Sequence, residues 1–493
     1  MSASALLLRR VEVDGDVCDV RLGHGRVLEV GGELDPRPGE EELDGAGAAL
    51  LPGLHDHHAH LFALAASLES ISVGPPEVTG PEAFDAVLRA ADEVGADGAW
   101  IRGTGYHEGI VGLLDRHRLD TLVPRRPVRI QHRSGRLWVM NTAGVRALGA
   151  IGDHALPPTG RSDPDWMRTG LLYDADLDLR RGDTPPDFSA VGRLLHSYGV
   201  TGVSDMTRTV TARDLEHLAH AAPRALGLRI VVSGDGGFST VPPPLGLGPV
   251  KIVLEEHALP GLEELVDDVA RAHRAGRRVA VHTVGRTSLV LAVVAWRTAG
   301  GAWGDRIEHG AVIPDELLDD LGDLGLTVVT QPNFLAERGD EYLADVEPDD
   351  LPALYRCRSL LDHGVGVALG TDSPFGHPDP WRAIAAAVAR RSRSGRVLGE
   401  AECISSACAL GMFLTEPCAP TTRRAIAPGV SADLCLLDAP LGDVLASPSA
   451  DHVACTIFDG EVVYARGDPG AHPPRRERPP SSRVAPVSES AGA

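Results

Sequence analysis

In LPGLHDHHAHL, Leu51 to Leu61, four histidines and an aspartate fall within six consecutive positions that follow an apolar run and a Pro-Gly pair. In a strand starting at Leu54, alternate side chains share a face, so Asp56, His58 and His60 point one way and His55 and His57 the other. Two imidazoles on one face at a strand end can bind one metal ion, and the spacing leaves both pairs open. A polar loop carrying surface histidines is the alternative.

A second candidate comes from a count. Of 47 basic residues, only Lys251 is a lysine. Guanidinium stays charged and non-nucleophilic, whereas an amine can lose its proton and react. A position that keeps lysine where arginine is otherwise universal is a candidate for chemistry arginine cannot do.

The elements that must position these groups are short apolar runs, each followed by a helix-length segment. After GLHDHHAH they are GVTGVSDM (199–206), LRIVVSG (228–234), VKIVLEE (250–256), RVAVHTVG (278–285), RIEHG (306–310), LTVVTQPN (326–333) and VGVALGTDSP (365–374). The connector LEELVDDVARAHRAG has helical spacing and stops at Gly276, and PDELLDDLGDLG starts on Pro314 and stops near Gly325. Eight such units predict an α/β fold, a (β/α)8 TIM barrel. A doubly wound sheet is the alternative, but neither its Gly-x-Gly-x-x-Gly loop nor a Walker sequence is present.

In a barrel the C-terminal strand ends converge. Strand one ends on the histidine cluster, strand four carries Lys251, strand five His282, strand six His309 and strand eight Asp372. Each alone has a plain explanation, a hydrogen-bonded core histidine or a helix cap. Together they form a set of imidazole and carboxylate ligands without thiolate, which suits Zn²⁺, Mn²⁺ or Fe²⁺ in a site with an open position for water, and therefore hydrolysis.

Residues 54–75 and 189–416 are assigned to the barrel. Residues 76–188 carry their own strands (AWIRGTGY, PVRIQHRS, RLWVMN) and read as a subdomain inserted after strand one, on the face where a barrel keeps its active site, as a lid or substrate-binding element. Residues 1–53 and 417–467 hold short strands whose apolar runs need partners, which predicts a composite β-sandwich built from both chain ends. Residues 468–493, rich in Pro, Arg and Ser, read as a disordered tail.

A formal charge of −22, from 47 basic and 69 acidic residues, disfavours nucleic acid and anionic membrane as partners and leaves a small-molecule substrate. A homodimer is compatible with the sequence but not required by it. The seven cysteines are scattered without a Cys-x-x-Cys pair, as expected of reduced residues rather than a disulfide frame. The apolar N-terminal stretch is too short for a signal peptide and no run approaches a membrane span, so a cytoplasmic location is expected.

The His-x-His of PGLHDHHAH, VHTVG, RIEHG, LGTDSP with a following PW, and the tail IAPGVSADLCLLD with TIFDGEVVY together resemble the metal-dependent amidohydrolase superfamily, from about Leu6 to Arg466. Within it, GTGYHEG, LDTLVPRRPVRI, RLWVMNTAGVRALG, GLLYDAD and GVTGVSD are similar to the branch of the N-substituted formamide deformylases. The resemblance implies a metal-dependent hydrolase of a non-peptide C–N bond, in an amide, N-acyl or cyclic amide compound. It selects His58 and His60 over His55 and His57 as ligands. It implies one or two divalent ions, zinc foremost, held by His58, His60, Lys251, His282, His309 and Asp372, with Lys251 carboxylated by CO₂ as a bridge. A metal-bound hydroxide would attack, and Asp372 would act as general base and then acid. His55 and His57 fall to packing, and Asp56 to orienting a ligand imidazole.

Pocket candidates are Tyr106, His107, His132, Arg136 and Trp138 from the insertion and Asn333 at strand seven. Relatives usually show Asp-Gly-Ser soon after the strand-four lysine, where this chain has Glu255-Glu256-His257, and histidine where Arg136 stands. Arg136 therefore points away from a simple formamide and toward a carboxylate-bearing substrate. A deaminase on the same barrel is the nearest rival, but such enzymes usually carry a glutamate three residues after the strand-five histidine, and Thr283, Val284 and Gly285 follow His282. A non-catalytic metal-binding relative would be expected to have lost a ligand, and none is missing.

Overall fold

The computed structural model describes residues 5–467 except 76, 95, 97, 150–165, 174–185 and 302–303. The expected tail, 468–493, lies outside the described residues.

Eight parallel strands pair in chain order: β1 (Leu54–Ala59), β2 (Val200–Asp205), β3 (Arg229–Gly234), β4 (Gly246–Val253), β5 (Val279–Thr283), β6 (Arg306–His309), β7 (Thr327–Thr330) and β8 (Gly366–Leu369). Most residues in these strands are apolar or small and most are buried, as a sheet covered on both faces requires, and the polar exceptions include the histidines of β1. The outer face packs under helices such as Leu262–Arg274 and Arg286–Ala299, which bury Leu265, Val269, Leu289 and Val293. The barrel closes just beyond β8, where Asp372 N donates to His58 O at 2.7 Å and His60 N to Ser373 O at 2.8 Å. Gly370 permits this approach, since a Cβ there would lie 2.7 Å from the His58 backbone nitrogen.

Both chain ends build the expected sandwich. One sheet joins Arg26–Gly31, Asp16–Gly23, Leu6–Val13 and Glu41–Asp44, and the other joins Glu461–Ala465, Val453–Phe458, Leu434–Leu437 and Leu50–Pro52. Leu8, Val20 and Leu22 share a core with Leu434, Leu436 and Ile457. A single residue, Gly53, separates the sandwich strand Leu50–Pro52 from β1.

Between β1 and β2 a five-stranded sheet runs in the order Leu171–Tyr173, Leu137–Met140, Val128–His132, Ile101–Tyr106 and Ile71–Ser72, so its edge strand begins before residue 76. It has its own core, including Phe84, Ile101, Val128 and Ile130. All seven cysteines are free, and only Cys357, Cys435 and Cys455 are fully buried. Among the described residues no helix is long and apolar enough to cross a membrane.

Candidate metal centre

At the mouth of the barrel β1 and β8 bring together three groups whose ligand atoms all lie within 4.8 Å of one another: His58, His60 and Asp372. Nε2 of His60 is 3.2 Å from Asp372 Oδ1, and Nε2 of His58 is 3.5 Å from the same oxygen. Neither contact has hydrogen-bond geometry, so Asp372 Oδ1 is buried with no hydrogen-bond partner. A buried carboxylate oxygen left unpaired is costly unless something else, such as a cation, satisfies it.

The surrounding groups set the protons. His58 Nδ1 donates to Glu308 Oε2 at 2.5 Å, which leaves a lone pair on Nε2, toward Asp372 and Lys251. Glu308 is itself paired with Arg306. His309 Nδ1 donates to Gln331 Oε1 at 2.8 Å, which likewise frees Nε2. The His309 ring lies 4.7 Å from that of His58 and 4.3 Å from that of His282. Burial holds His58 and His282 well below the ordinary imidazole value of 6.5 and His309 down at about 4, so all three are neutral and ligand-ready at pH 7. Burial pushes Asp372 up, but its contacts, led by that with His60, outweigh this, and the carboxyl is held below its ordinary value.

Lys251 is 5% exposed, with Nζ 3.3 Å from His58 Nε2. Burial lowers its pKa, opposed by the charges of Glu308 and Asp372. The structure thus gathers His58, His60, Lys251, His282, His309 and Asp372 at one mouth, five of them lining a single cavity and His58 buried beneath it. Two of the six, His309 (φ 68°) and Asp372 (φ 55°), take the left-handed backbone region that non-glycine residues rarely adopt.

His55 and His57 turn away from this cluster: His55 Nε2 meets Ser204 Oγ at 2.9 Å and His57 Nε2 meets Thr415 Oγ1 at 2.8 Å. Asp56 differs from expectation. Its carboxylate accepts from the backbone nitrogens of His58 and Thr371 and from the Thr371 hydroxyl, so it ties β1 to the β8 loop. Glu308 is the carboxylate that orients an imidazole.

The sequence model of the amidohydrolase family matches residues 41–464. The chain belongs to that family. It is 26% identical over 515 residues to the N-substituted formamide deformylase of Arthrobacter pascens, with 91% of this chain and 95% of that protein covered. Among solved structures, a metal-dependent hydrolase of Pyrococcus horikoshii OT3 superposes with a TM-score of 0.70 at 21% identity, covering 91% of this chain and 100% of that one. An atrazine chlorohydrolase of Arthrobacter aurescens TC1, in complex with zinc and atraton, superposes at 0.52 with 17% identity, covering 93% and 94%. The chain is accordingly a metal-dependent hydrolase of carbon–nitrogen bonds.

The cavity of this amidohydrolase, about 1640 Å³, is walled on one side by the barrel mouth and on the other by the inserted sheet. Arg136 and Trp138 line it, as the sequence suggested, but Tyr106, His107, His132 and Asn333 do not. The Tyr106 hydroxyl donates to Gly112 O and accepts from Leu114 N inside the inserted sheet's core. His107 caps a helical turn, and His132 is held between Ser134 and Glu108. Asn333 donates to Thr371 O and braces the β8 loop. Arg136 already has a carboxylate, with Nη1 2.8 Å from Glu255 Oε2, so its charge is answered within the chain rather than reserved for substrate.

Glu308 and Gln331 escaped the sequence reading. Strict alternation along RIEHG puts Glu308 and His309 on opposite faces. The positive φ at His309 breaks that alternation and brings both to the barrel interior. Gln331 sits two residues before Asn333, the residue whose type looked more like a substrate contact.

Proposed function

We propose that the chain hydrolyses a non-peptide C–N bond of a small amide, N-acyl or cyclic amide compound, with His58, His60, Lys251, His282, His309 and Asp372 holding one or two divalent ions, zinc foremost. The observation that carries this is the unpaired buried oxygen of Asp372 between two imidazole Nε2 atoms, one of which is freed by Glu308. A hard oxygen and neutral imidazoles without thiolate are the donor set of a catalytic zinc site. A divalent ion bound there polarises the substrate carbonyl and makes water nucleophilic at neutral pH.

The chain's own groups do the rest. Glu308 and Gln331 keep the imidazoles of His58 and His309 in one tautomer and orientation. Asp372, ionised, accepts a proton from the attacking water on a carboxylate oxygen and returns it to the leaving nitrogen, so that amide and water become carboxylate and amine. Lys251, desolvated, has a neutral amine within reach; addition of CO₂ forms an N–C bond, releases one proton and gives a carbamate with two oxygen donors. Arginine cannot do this.

The test is amine or carboxylate release from a panel of N-formyl and N-acyl amines and cyclic amides, lost on chelation and regained with Zn²⁺. Ammonia from an aminated heterocycle instead indicates a deaminase, and inactivity of the zinc-restored protein contradicts catalysis. An intact mass that is one CO₂ heavier, absent in Lys251→Arg, supports the carbamate; a fully active Lys251→Arg variant removes it.

A further inference from the structure

Acidic residues outnumber basic ones 69 to 47 in this chain, so a cavity-lining arginine without a carboxylate stands out. Arg338, in the first turns of the helix Asn333–Asp345, is such a residue. Its Nη2 donates to the carbonyl of Phe375 and its Cζ sits 4.2 Å from the centre of the Phe334 ring. Among the described residues no carboxylate lies within ion-pair distance of it. Facing it across the cavity wall is Arg133, from the turn after Val128–His132, whose sole carboxylate contact among the described residues is Glu341 at 3.3 Å.

Glu341 stands one turn after Arg338 on the same helix, and the neighbouring Tyr342 is bonded to the Tyr355 hydroxyl at 3.1 Å. Both arginines line the same cavity, and burial lowers the Arg133 pKa, with the charge of Arg338 lowering it further. Among the described residues Glu341 thus pairs with Arg133 alone, while Glu337, whose carboxyl is raised by burial and lowered in part by the charge of Arg338, is bonded to the Asn333 amide and the His377 backbone nitrogen rather than to a guanidinium. Phe375, whose carbonyl fixes Arg338, packs its ring 5.4 Å from that of His60. One residue thus separates this surplus charge from the metal-ligand cluster.

We propose that Arg338, supported by Arg133, is the anchor for a carboxylate group of the substrate, and so determines specificity for acidic over neutral amides. The proposal rests on the hydrolase reading above. Arg338 is held on one edge by Phe334 and Phe375, so its planar fork is fixed before substrate arrives and little side-chain entropy is lost on binding. Arg136, paired with Glu255, is not the anchor.

The experiment compares N-acetylphenylalanine with N-acetylphenethylamine, which lacks only the carboxylate, on the zinc-loaded enzyme. The acid is expected to have a kcat/KM at least about tenfold higher, through KM. Arg338→Gln is expected to bring that ratio to about one, Arg338→Lys to restore part of it, and Arg133→Gln to lower it less. Equal loss on both substrates, or an unchanged ratio, overturns the proposal. Binding of benzylsulfonate, a weak metal ligand, against benzyl methyl sulfone tests the anchor without turnover: Arg338→Gln should weaken the sulfonate about tenfold and the sulfone far less. If the wild-type enzyme cleaves neither amide, the hydrolase reading fails on these substrates while the sulfonate measurement still decides the anchor. Equal sulfonate affinity in wild type and variant overturns it.

Discussion

The two walls of the cavity differ in kind. The barrel wall presents imidazoles with defined partners: His58 and His309, kept neutral by burial, are held by Glu308 and Gln331, and His60 Nδ1 lies 3.3 Å from the Thr207 hydroxyl. The inserted sheet presents permanent cations and aromatic faces, with Arg102 5.1 Å from the Trp138 ring and Arg129 5.4 Å from that of Trp100. Strand register fixes the first wall to within a side chain's width, so it suits bond making and proton transfer. The second wall is charged and aromatic, and its arginines reach across to Glu255, just after β4, and to Glu341 on the helix Asn333–Asp345. Gly135 (φ 77°) shows how closely the walls approach, since a Cβ there would lie 2.4 Å from the Phe375 ring.

The sharpest way to break this division is to show that the barrel wall does not govern turnover. Asp372→Asn is expected to lower kcat by about 10²–10⁴ with KM changed far less, read as amine release by zinc-loaded enzyme. Glu308→Gln keeps the shape but weakens the hold on His58, and about 10–100-fold is expected in zinc affinity, measured against a competing chelator.

Acid stability sharpens the contrast next. His55, His57, His58, His282 and His309 are all lowered by burial, His309 to about 4. Below 6.5 the unfolded chain binds protons on these rings and the folded chain does not. Stability is therefore full above about pH 6.5 and falls as pH drops toward 4, by at most about 1.4 kcal/mol per pH unit for each histidine. Thermal melts of chelated protein between pH 7 and 5 check this; a flat profile contradicts it. The smallest effect is expected on the other wall. Arg136→Ala breaks a partly exposed ion pair worth about 1 kcal/mol or less, so KM should move no more than about fivefold while kcat and zinc content hold.

Much of the barrel was legible because a buried parallel strand is a short apolar run, and seven of the eight runs contain their strands. β4 starts earlier than read, at Gly246, because Gly246, Gly248 and Pro249 look like a turn yet pair with β3 from Val231 onward. The six candidate ligand positions could be located for the same reason, since each stands within three residues of the C-terminal end of its strand. Glu308 was not, because a local left-handed residue overrides alternation. Arg133 and Arg338 were not, because nothing in either segment's spacing says that a hairpin of the inserted sheet meets the helix after β7. Asn333 and Tyr106 were read as pocket residues from their chemistry alone, and each hydrogen-bonds to its own neighbourhood instead.

The central claim is that the barrel mouth is a metal centre on which turnover depends. The most direct measurement is the divalent metal content per chain of purified wild type and of His58→Asn, taken alongside amide hydrolysis by the same samples before and after chelation. One or two zinc ions are expected in the wild type, with a loss of metal in the variant and activity that follows metal content through removal and return. Undiminished hydrolysis by wild-type protein stripped of metal would contradict that claim.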